Sequence, residues 1–439
     1  MSNNEVQADK SSLENLLHHI NKLSLTEKEP PKKELHAKER LLASFKQYDP
    51  EKSRVYPDSQ PTLCKEMELI GSVLKTRKKK DKRCHDYDYQ FHLKEGNYDG
   101  LAVIHADLRE SFQNDPMKLS KQCFKRYIPS NLENGFQSYI PISPYELVSP
   151  KSFVEFLIKY EQKYKIPLNK STAEKKDFLY VTRRHHLTSL ASSLFLNEST
   201  QMDLVLFDGL LILHEGRPDF GGIHSSDQKL AHMCYHGFAL ENLLTKDTQP
   251  DNEGHYYIYN KCILDNGKEI FLQAELDAML DSSEKVFAEL KCTVPLNPYS
   301  SFHAMKLLKM WLQTGFLPNT ELVLGIRKRP DMNILRHIKN YKRSDIFDML
   351  KSFNDKNPNR GSYYYNPLLA CEWLNHVTNT IDTTLKDHLA GSNPIVPVAF
   401  RLTIDKYKNL KIDSLEEVPE NVITDELLEW RKSVRESTK

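Results

Sequence analysis

The residues with the most chemical content are Glu275-Leu276-Asp277 and, one short turn later, Glu289-Leu290-Lys291. Side chains two positions apart on a β-strand project from the same face. Glu275 and Asp277 therefore share a face within a strand over Glu269 to Leu280, with Ala274, Leu276 and Ala278 behind them. Glu289 and Lys291 share a face within a second strand over Lys285 to Val294, backed by Ala288, Leu290 and Cys292. The link Asp281-Ser282-Ser283-Glu284 has the composition of a hairpin turn. If the two strands pair, three carboxylates and one ammonium converge. Close carboxylates repel one another and need raised pKa values or a cation. Mg²⁺ or Mn²⁺ is such a cation, because hard divalent ions take oxygen ligands. A lysine beside it can orient a water and stabilise charge developing on a phosphate. An exposed hairpin with alternating charge would look similar in either strand alone, but here both strands carry apolar backs and reactive fronts.

Two helical segments add to this. Lys306, Lys309 and Gln313 recur at three- and four-residue spacing, so they share one side of a helix over His303 to Gln313. That side offers two cations and an amide to a phosphate backbone, while Leu307, Leu308, Trp311 and Leu312 pack inward. In Tyr235-His236-Gly237-Phe238-Ala239-Leu240-Glu241, Gly237 permits close approach of another backbone and Glu241 can reach the carboxylate cluster. Carboxylate, then Glu-x-Lys on the next strand, is the logic of the PD-(D/E)xK nuclease core, which serves RNA and DNA alike.

The elements that must hold these groups read as one mixed α/β domain. Residues 1–50 form an arm whose Leu13, Leu16, Leu17, Ile20 and Leu23 mark one short amphipathic helix. Residues 51–415 are the main domain, and 416–439 are a charged helical tail. Within the domain, Ser149-Pro150 reads as N-cap and first-turn proline of a helix carrying Phe153, Phe156, Leu157 and Tyr160. Phe178 to Thr182 reads as a strand leading into Arg183-Arg184-His185-His186. Apolar runs flank Gly209 as in a hairpin or bulge, Gln228 to Leu244 is helical, and Tyr256 to Leu264 is a strand closed by the Asp265-Asn266-Gly267 turn. Leu322 to Ile326 and Val396 to Ile404 are further strands.

Composition excludes several classes. Lys and Arg number 61 against 60 Asp and Glu, so nucleic-acid binding must come from local charge. The basic block Arg77-Lys78-Lys79-Lys80-Asp81-Lys82-Arg83 is one such candidate, or a nuclear signal, or a solvated loop. Seven scattered cysteines without a C-x-x-C pair argue against a disulfide framework or a cysteine-rich zinc site. No secretory signal and no membrane-length apolar run is evident, so a soluble, intracellular protein is expected.

Taken in order, these segments resemble the DXO family of RNA 5′-end decapping nucleases. The motifs that carry the resemblance are Arg184 within Thr182 to Thr188, Gly237 to Glu241, Glu275-Leu276-Asp277, Glu289-Leu290-Lys291, and Lys306 to Gln313 followed by Phe316-Leu317-Pro318. Gly237-Phe238-Ala239-Leu240-Glu241 departs from the family pattern by lacking its usual lysine and second aromatic, and Thr314-Gly315 replaces the common Ser-Phe. These departures and the paired histidines resemble the fungal cytosolic branch, which implies a cytoplasmic location, with the nucleus as the alternative.

The resemblance implies two packed mixed β-sheets with flanking helices and a cleft between them. It implies removal of incomplete or non-canonical caps, the unmethylated guanosine cap and NAD among them, and 5′→3′ degradation in RNA quality control. Two divalent ions, Mg²⁺ or Mn²⁺, are implied. Glu241, Asp277 and Glu289 would hold metal directly, with Glu275 direct or through water and the Leu290 carbonyl as a further ligand. Lys291 and Gln313 would position phosphate and water, and Arg184 would grip the RNA. Arg183, His185 and Lys309 complete the candidate substrate contacts. The partner implied is the RNA 5′ end; no protein partner is required for activity, and the arm leaves room for one. A DNA-directed nuclease and a non-catalytic RNA-end binder are the alternatives.

Overall fold

Turn chemistry sets the first hairpins. Asp208 and Gly209 have φ of 50° and 77°, so the turn between the two apolar runs has both central residues left-handed, the pattern that matches strand twist in tight hairpins. Gly267, at φ 83°, closes the Asp265-Asn266-Gly267 turn in the same way. The computed structural model describes residues 56–77, 87–93, 98–139, 150–170, 173, 177–215, 228–246, 254–328, 331–356, 365–389, 394–420 and 422–437. The arm over residues 1–50, Ser149 and basic-block residues 78–83 lie outside them.

Strands run in chain order as β1 (Cys64–Arg77), β2 (Tyr87–His92), β3 (Val103–Ile104), β4 (Ser130–Asn131), β5 (Leu179–Arg183), β6 (Thr200–Phe207), β7 (Leu210–His214) and β8 (Thr245–Lys246). They continue as β9 (Gly254–Leu264), β10 (Glu269–Leu276), β11 (Ala278–Asp281), β12 (Val286–Thr293), β13 (Thr320–Arg327), β14 (Ile334–Tyr341), β15 (Val398–Ile404) and β16 (Leu410–Ser414). The helices are α1 (Ala106–Asn114), α2 (Lys121–Tyr127), α3 (Lys151–Tyr164), α4 (Arg184–Ser192), α5 (Gln228–Leu244), α6 (Ser301–Gly315), α7 (Arg343–Asp355), α8 (Pro367–His388) and α9 (Asp425–Ser437).

Two mixed sheets result, ordered β16-β15-β6-β7-β5-β10-β9-β1-β2 and β4-β14-β13-β12-β11-β3-β8. They pack directly through Tyr256, Ile258, Ala274 and Leu276 of the first sheet against Met279 and Phe287 of the second. Beside that contact, Tyr180, Leu204, Ile270 and Leu272 share a large core with Leu322 and Leu324 and with Trp311 and Trp373 on helices α6 and α8. Helix α3 covers the outer face of the first sheet, and α1, α2 and α5 cover that of the second. This is the mixed two-sheet architecture expected from the sequence.

Two local readings change. The strand expected over Glu269 to Leu280 is two strands, because the chain leaves the first sheet after Leu276 and joins the second at Ala278. Pro150 is the N-cap of α3 rather than its first-turn residue. The charged tail is helical, and α9 is seated on α3: Arg431 and Trp430 both reach the buried Glu161 carboxylate. Among the described residues no helix is long and apolar enough to cross a membrane.

Candidate active site

The change of sheet at Asp277 builds the site. Glu275 sits at the end of β10, opposite Tyr257 of β9, while Glu289 and Lys291 sit on β12 in the other sheet. The hairpin envisaged from sequence therefore contributes only its second half, with β11 pairing β12 through Ala278 opposite Ala288. Beyond Ala288 that edge of β12 has lost its neighbour. Its Leu290 N–H donates instead to the Asp277 carboxylate at 2.7 Å. Because a strand residue presents its N–H and C=O on the same edge, the Leu290 carbonyl also points into the opening beside Asp277.

Positive charge bridges the seam. Arg184, first residue of α4, follows the end of β5, which runs parallel to β10 with Arg183 opposite Gln273. Its guanidinium contacts both oxygens of Glu289, at 2.5 and 3.3 Å. Lys291 Nζ lies 2.6 Å from Glu289 and 3.8 Å from Asp277. Glu275 instead accepts from His255, 2.6 Å away.

Glu241 arrives from the opposite side, on α5. Gly325 of β13 gives it room: a Cβ there would lie 2.6 Å from the end of the Leu240 side chain of α5 and displace it. The close-approach glycine expected at Gly237 is thus at Gly325, and a Cβ at Gly237 would meet nothing within 4 Å.

The electrostatics divide the carboxylates. Burial pushes Glu241 well above the usual carboxylate range, and Asp277 and Glu275 push it further. Burial and then Glu289 raise Asp277 to about 7, against the pull of Lys291. Glu289 is fully buried, yet Arg184 and Lys291 outweigh desolvation and hold it at about 2. For Glu275, His255 outweighs desolvation, so its pKa falls below the usual range. Lys291 is raised, since Glu289 and Asp277 outweigh its own desolvation. Among the described residues nothing hydrogen-bonds or ion-pairs with the Glu241 carboxylate. The push of neighbouring carboxylates on Glu241 and Asp277 is the repulsion a hard divalent cation would relieve, although no three of the four bring their oxygens within 4.8 Å of one another.

The remaining candidates are distributed unevenly. His185 lies half-exposed 3.7 Å from Glu215. With His186 these form the one group of three nitrogen and oxygen donors within 4.8 Å among the described residues. Arg183 and Arg184 bear on His185, and their charge opposes a cation there. On α6, Gln313 is partly exposed and makes no hydrogen bond to the four carboxylates, and Lys309 is exposed and makes no ion pair with them. Lys306 alone of that helix side is anchored near the seam, donating to Thr293 Oγ1 at 2.7 Å. The sequence reading missed His255. Its signal was parity: on β9 it lies two residues from Tyr257, the residue opposite Glu275.

The profile of RAI1-like PD-(D/E)XK nucleases matches residues 103–428. Decapping and exoribonuclease protein 1 of Saccharomyces cerevisiae is 31% identical over 267 residues, covering 56% of this chain and 58% of that relative. The chain thus aligns with less than two thirds of that relative's length. The crystal structure of Kluyveromyces lactis Dxo1 in complex with manganese superposes with TM-score 0.63 at 20% identity, covering 85% of this chain and 95% of that one. That of Candida albicans Rai1 in complex with pU5-Mn²⁺ gives 0.64 at 16% identity, covering 87% and 98%. At these identities the structures establish a shared fold.

Proposed function

This chain belongs to the RAI1-like PD-(D/E)XK nuclease family, and from that premise we propose that it is a metal-dependent hydrolase of RNA 5′ ends. It removes incomplete or non-canonical caps, NAD included, and degrades RNA 5′→3′. The observation that carries this reading is the seam itself. What supports it is that Glu289 meets Arg184 and Lys291, Lys291 also lies 3.8 Å from Asp277, and Glu275 and Glu241 are near enough for their charges to act on this cluster. The decapping and exoribonuclease name of the Saccharomyces relative and the pU5 held by the Candida protein favour RNA ends over DNA. A cytoplasmic site of action is proposed from the resemblance of the sequence to the fungal cytosolic branch alone, and fluorescent tagging of the full chain would check it.

Glu241, Asp277, Glu289 and the Leu290 carbonyl would hold a divalent ion directly, and Glu275 directly or through water. Bound there, the ion supplies Lewis-acid stabilisation of the phosphate and an activated water. The chain's own groups do the rest. Arg184 spends two of its five N–H donors on Glu289, leaving three for a phosphate oxygen. Glu289 and Asp277 favour the ammonium form of Lys291, in which it stabilises charge developing on the phosphate. Gln313 positions substrate from α6. His255 fixes the orientation of Glu275.

The test is product analysis on 5′-labelled RNAs bearing monophosphate, unmethylated cap or NAD, beside matched DNA. Turnover on RNA with Mn²⁺ or Mg²⁺, lost on chelation and reduced at least about 10²–10³-fold by Asp277→Ala with folding retained, is the expected result. Equal rates on DNA, or full activity of Asp277→Ala, would overturn it.

A further inference from the structure

Past the end of the carboxylate seam lies a pair of cations that the reading above does not use. Arg327 ends β13, one residue beyond the Thr293–Ile326 register pair, and only 6% of it is exposed. Its Nη1 lies 2.6 Å from Nδ1 of His236, while its Nε has no hydrogen-bond partner. No carboxylate lies within ion-pair distance of it among the described residues. The other nitrogen of His236 faces Glu133 Oε2 at 2.9 Å, and His232 also contacts that carboxylate. Glu133, His236 and Arg327 thus form a relay in which the imidazole takes the guanidinium on one side and donates to the carboxylate on the other. The second cation is Lys306, whose ammonium has Thr293 Oγ1 as its anchor and feels both Arg327 and Lys291.

A buried charge without an opposite partner is costly unless something supplies that partner. The other buried guanidinium among the described residues has its partner: Arg431 holds Glu161 at 2.8 Å. Arg327 has no such carboxylate among the described residues, and the relay holds it in one orientation. Lys291 and Thr293 are two positions apart on one strand, about 6.6 Å, so the second cation pair begins one short step from the catalytic ammonium.

We infer that Arg327 and Lys306 form a second phosphate subsite, which grips the nucleic-acid phosphate next to the one being cleaved. Glu133 and His236 are positioning residues for it. The inference rests on the nuclease reading for the identity of its ligand, and a polynucleotide phosphate is favoured over a free one because Lys291 links the two places.

The experiment measures binding in EDTA, where no cleavage occurs, of a fluorescent 5′-phosphorylated RNA hexamer and, by competition, of inorganic pyrophosphate, across a salt series. Arg327→Gln and Lys306→Met are each expected to weaken hexamer binding about 10- to 100-fold, the effect of one charge-assisted contact. Each should also lower the slope of log affinity against log salt by about one. Glu133→Gln should weaken binding less than Arg327→Gln while leaving the salt slope intact. Hexamer affinity and slope unchanged in both cation variants would overturn the subsite; if Arg327→Gln does not fold, Lys306→Met decides. Pyrophosphate competing as well as RNA of equal charge would overturn the assignment to a polynucleotide. Wild-type hydrolysis of the RNA panel is scored separately, so a protein that binds but does not cleave would remove the nuclease reading and leave the subsite standing.

Discussion

Two buried charge networks in this molecule have opposite character. At the junction of α3 and α9, Glu161 accepts from Arg431 and Trp430, each at 2.8 Å, and from the Leu168 N–H at 2.7 Å. Arg431 spends its other arm on Asn169 at 2.9 Å. Two acids meet the base, since Asp208 lies 3.5 Å from the same guanidinium, and the Glu161 and Arg431 side chains are at most 2% exposed. In the cleft, four carboxylates share Arg184, Lys291 and His255, with no hydrogen-bond or ion-pair partner on the Glu241 carboxylate among the described residues and Asp277 raised to about 7. In the first arrangement positive and negative charge are matched, which is a structural role. The second is short of positive charge, and that shortage makes it able to take up a cation and a phosphate.

Breaking each network should give different signatures. The largest stability change is expected from Glu161→Gln, about 3 kcal/mol in denaturant unfolding, because it leaves the buried Arg431 guanidinium with Asp208, at 3.5 Å, as its remaining carboxylate. Activity per folded molecule should be retained; loss of activity at full stability would mean that the contrast is misdrawn. Next, Mn²⁺ at a hundred times its dissociation constant should stabilise the wild type by about 2.7 kcal/mol in thermal unfolding. Glu289→Gln should abolish most of that gain, and chelator should reverse it. Titration then separates the members of the cleft. Asp277 has a folded pKa raised to about 7 over an ordinary 3.8, so its contribution favours folding at low pH and is lost as pH rises through 7. Glu289, held at about 2, contributes stability above its ordinary 4.5 that is lost as pH falls towards 2. Metal-free protein minus Asp277→Asn should therefore show a stability difference that falls with pH between about 4 and 7, by up to about 1.4 kcal/mol per unit. A flat difference would place Asp277 outside the cluster's proton balance. The smallest effect belongs to the exposed Lys411–Asp413 pair, 2.9 Å apart: Lys411→Ala should change unfolding by less than about 0.5 kcal/mol.

Much of this was legible beforehand, for identifiable reasons. The Gln228–Leu244 helix and the strands around Gly209 and Gly267 follow from local periodicity and turn residues, which need no partner to be read. Glu275, Asp277, Glu289 and Lys291 stood out because reactive types alternated with apolar ones. What misled was continuity. Nothing in Ala274-Glu275-Leu276-Asp277-Ala278 marks a change of sheet, since both strands have the same alternation and no glycine or proline separates them. Gly237 drew attention as a motif glycine, whereas the glycine that seats α5 is Gly325, inside a strand where its role depends on Leu240, 85 positions away.

By itself the sequence determined the mixed α/β class, the elements and the acid-rich pair of segments, since these rest on periodicities a few residues long. Only the tertiary structure decided that those segments belong to different sheets, that Arg184 closes the seam on Glu289, and that Arg327 is buried with no carboxylate of the described residues beside it. The physical reason is range. Strand and helix propensities act between neighbours, but whether a buried charge is satisfied depends on which distant side chains the fold places within a few ångströms of it.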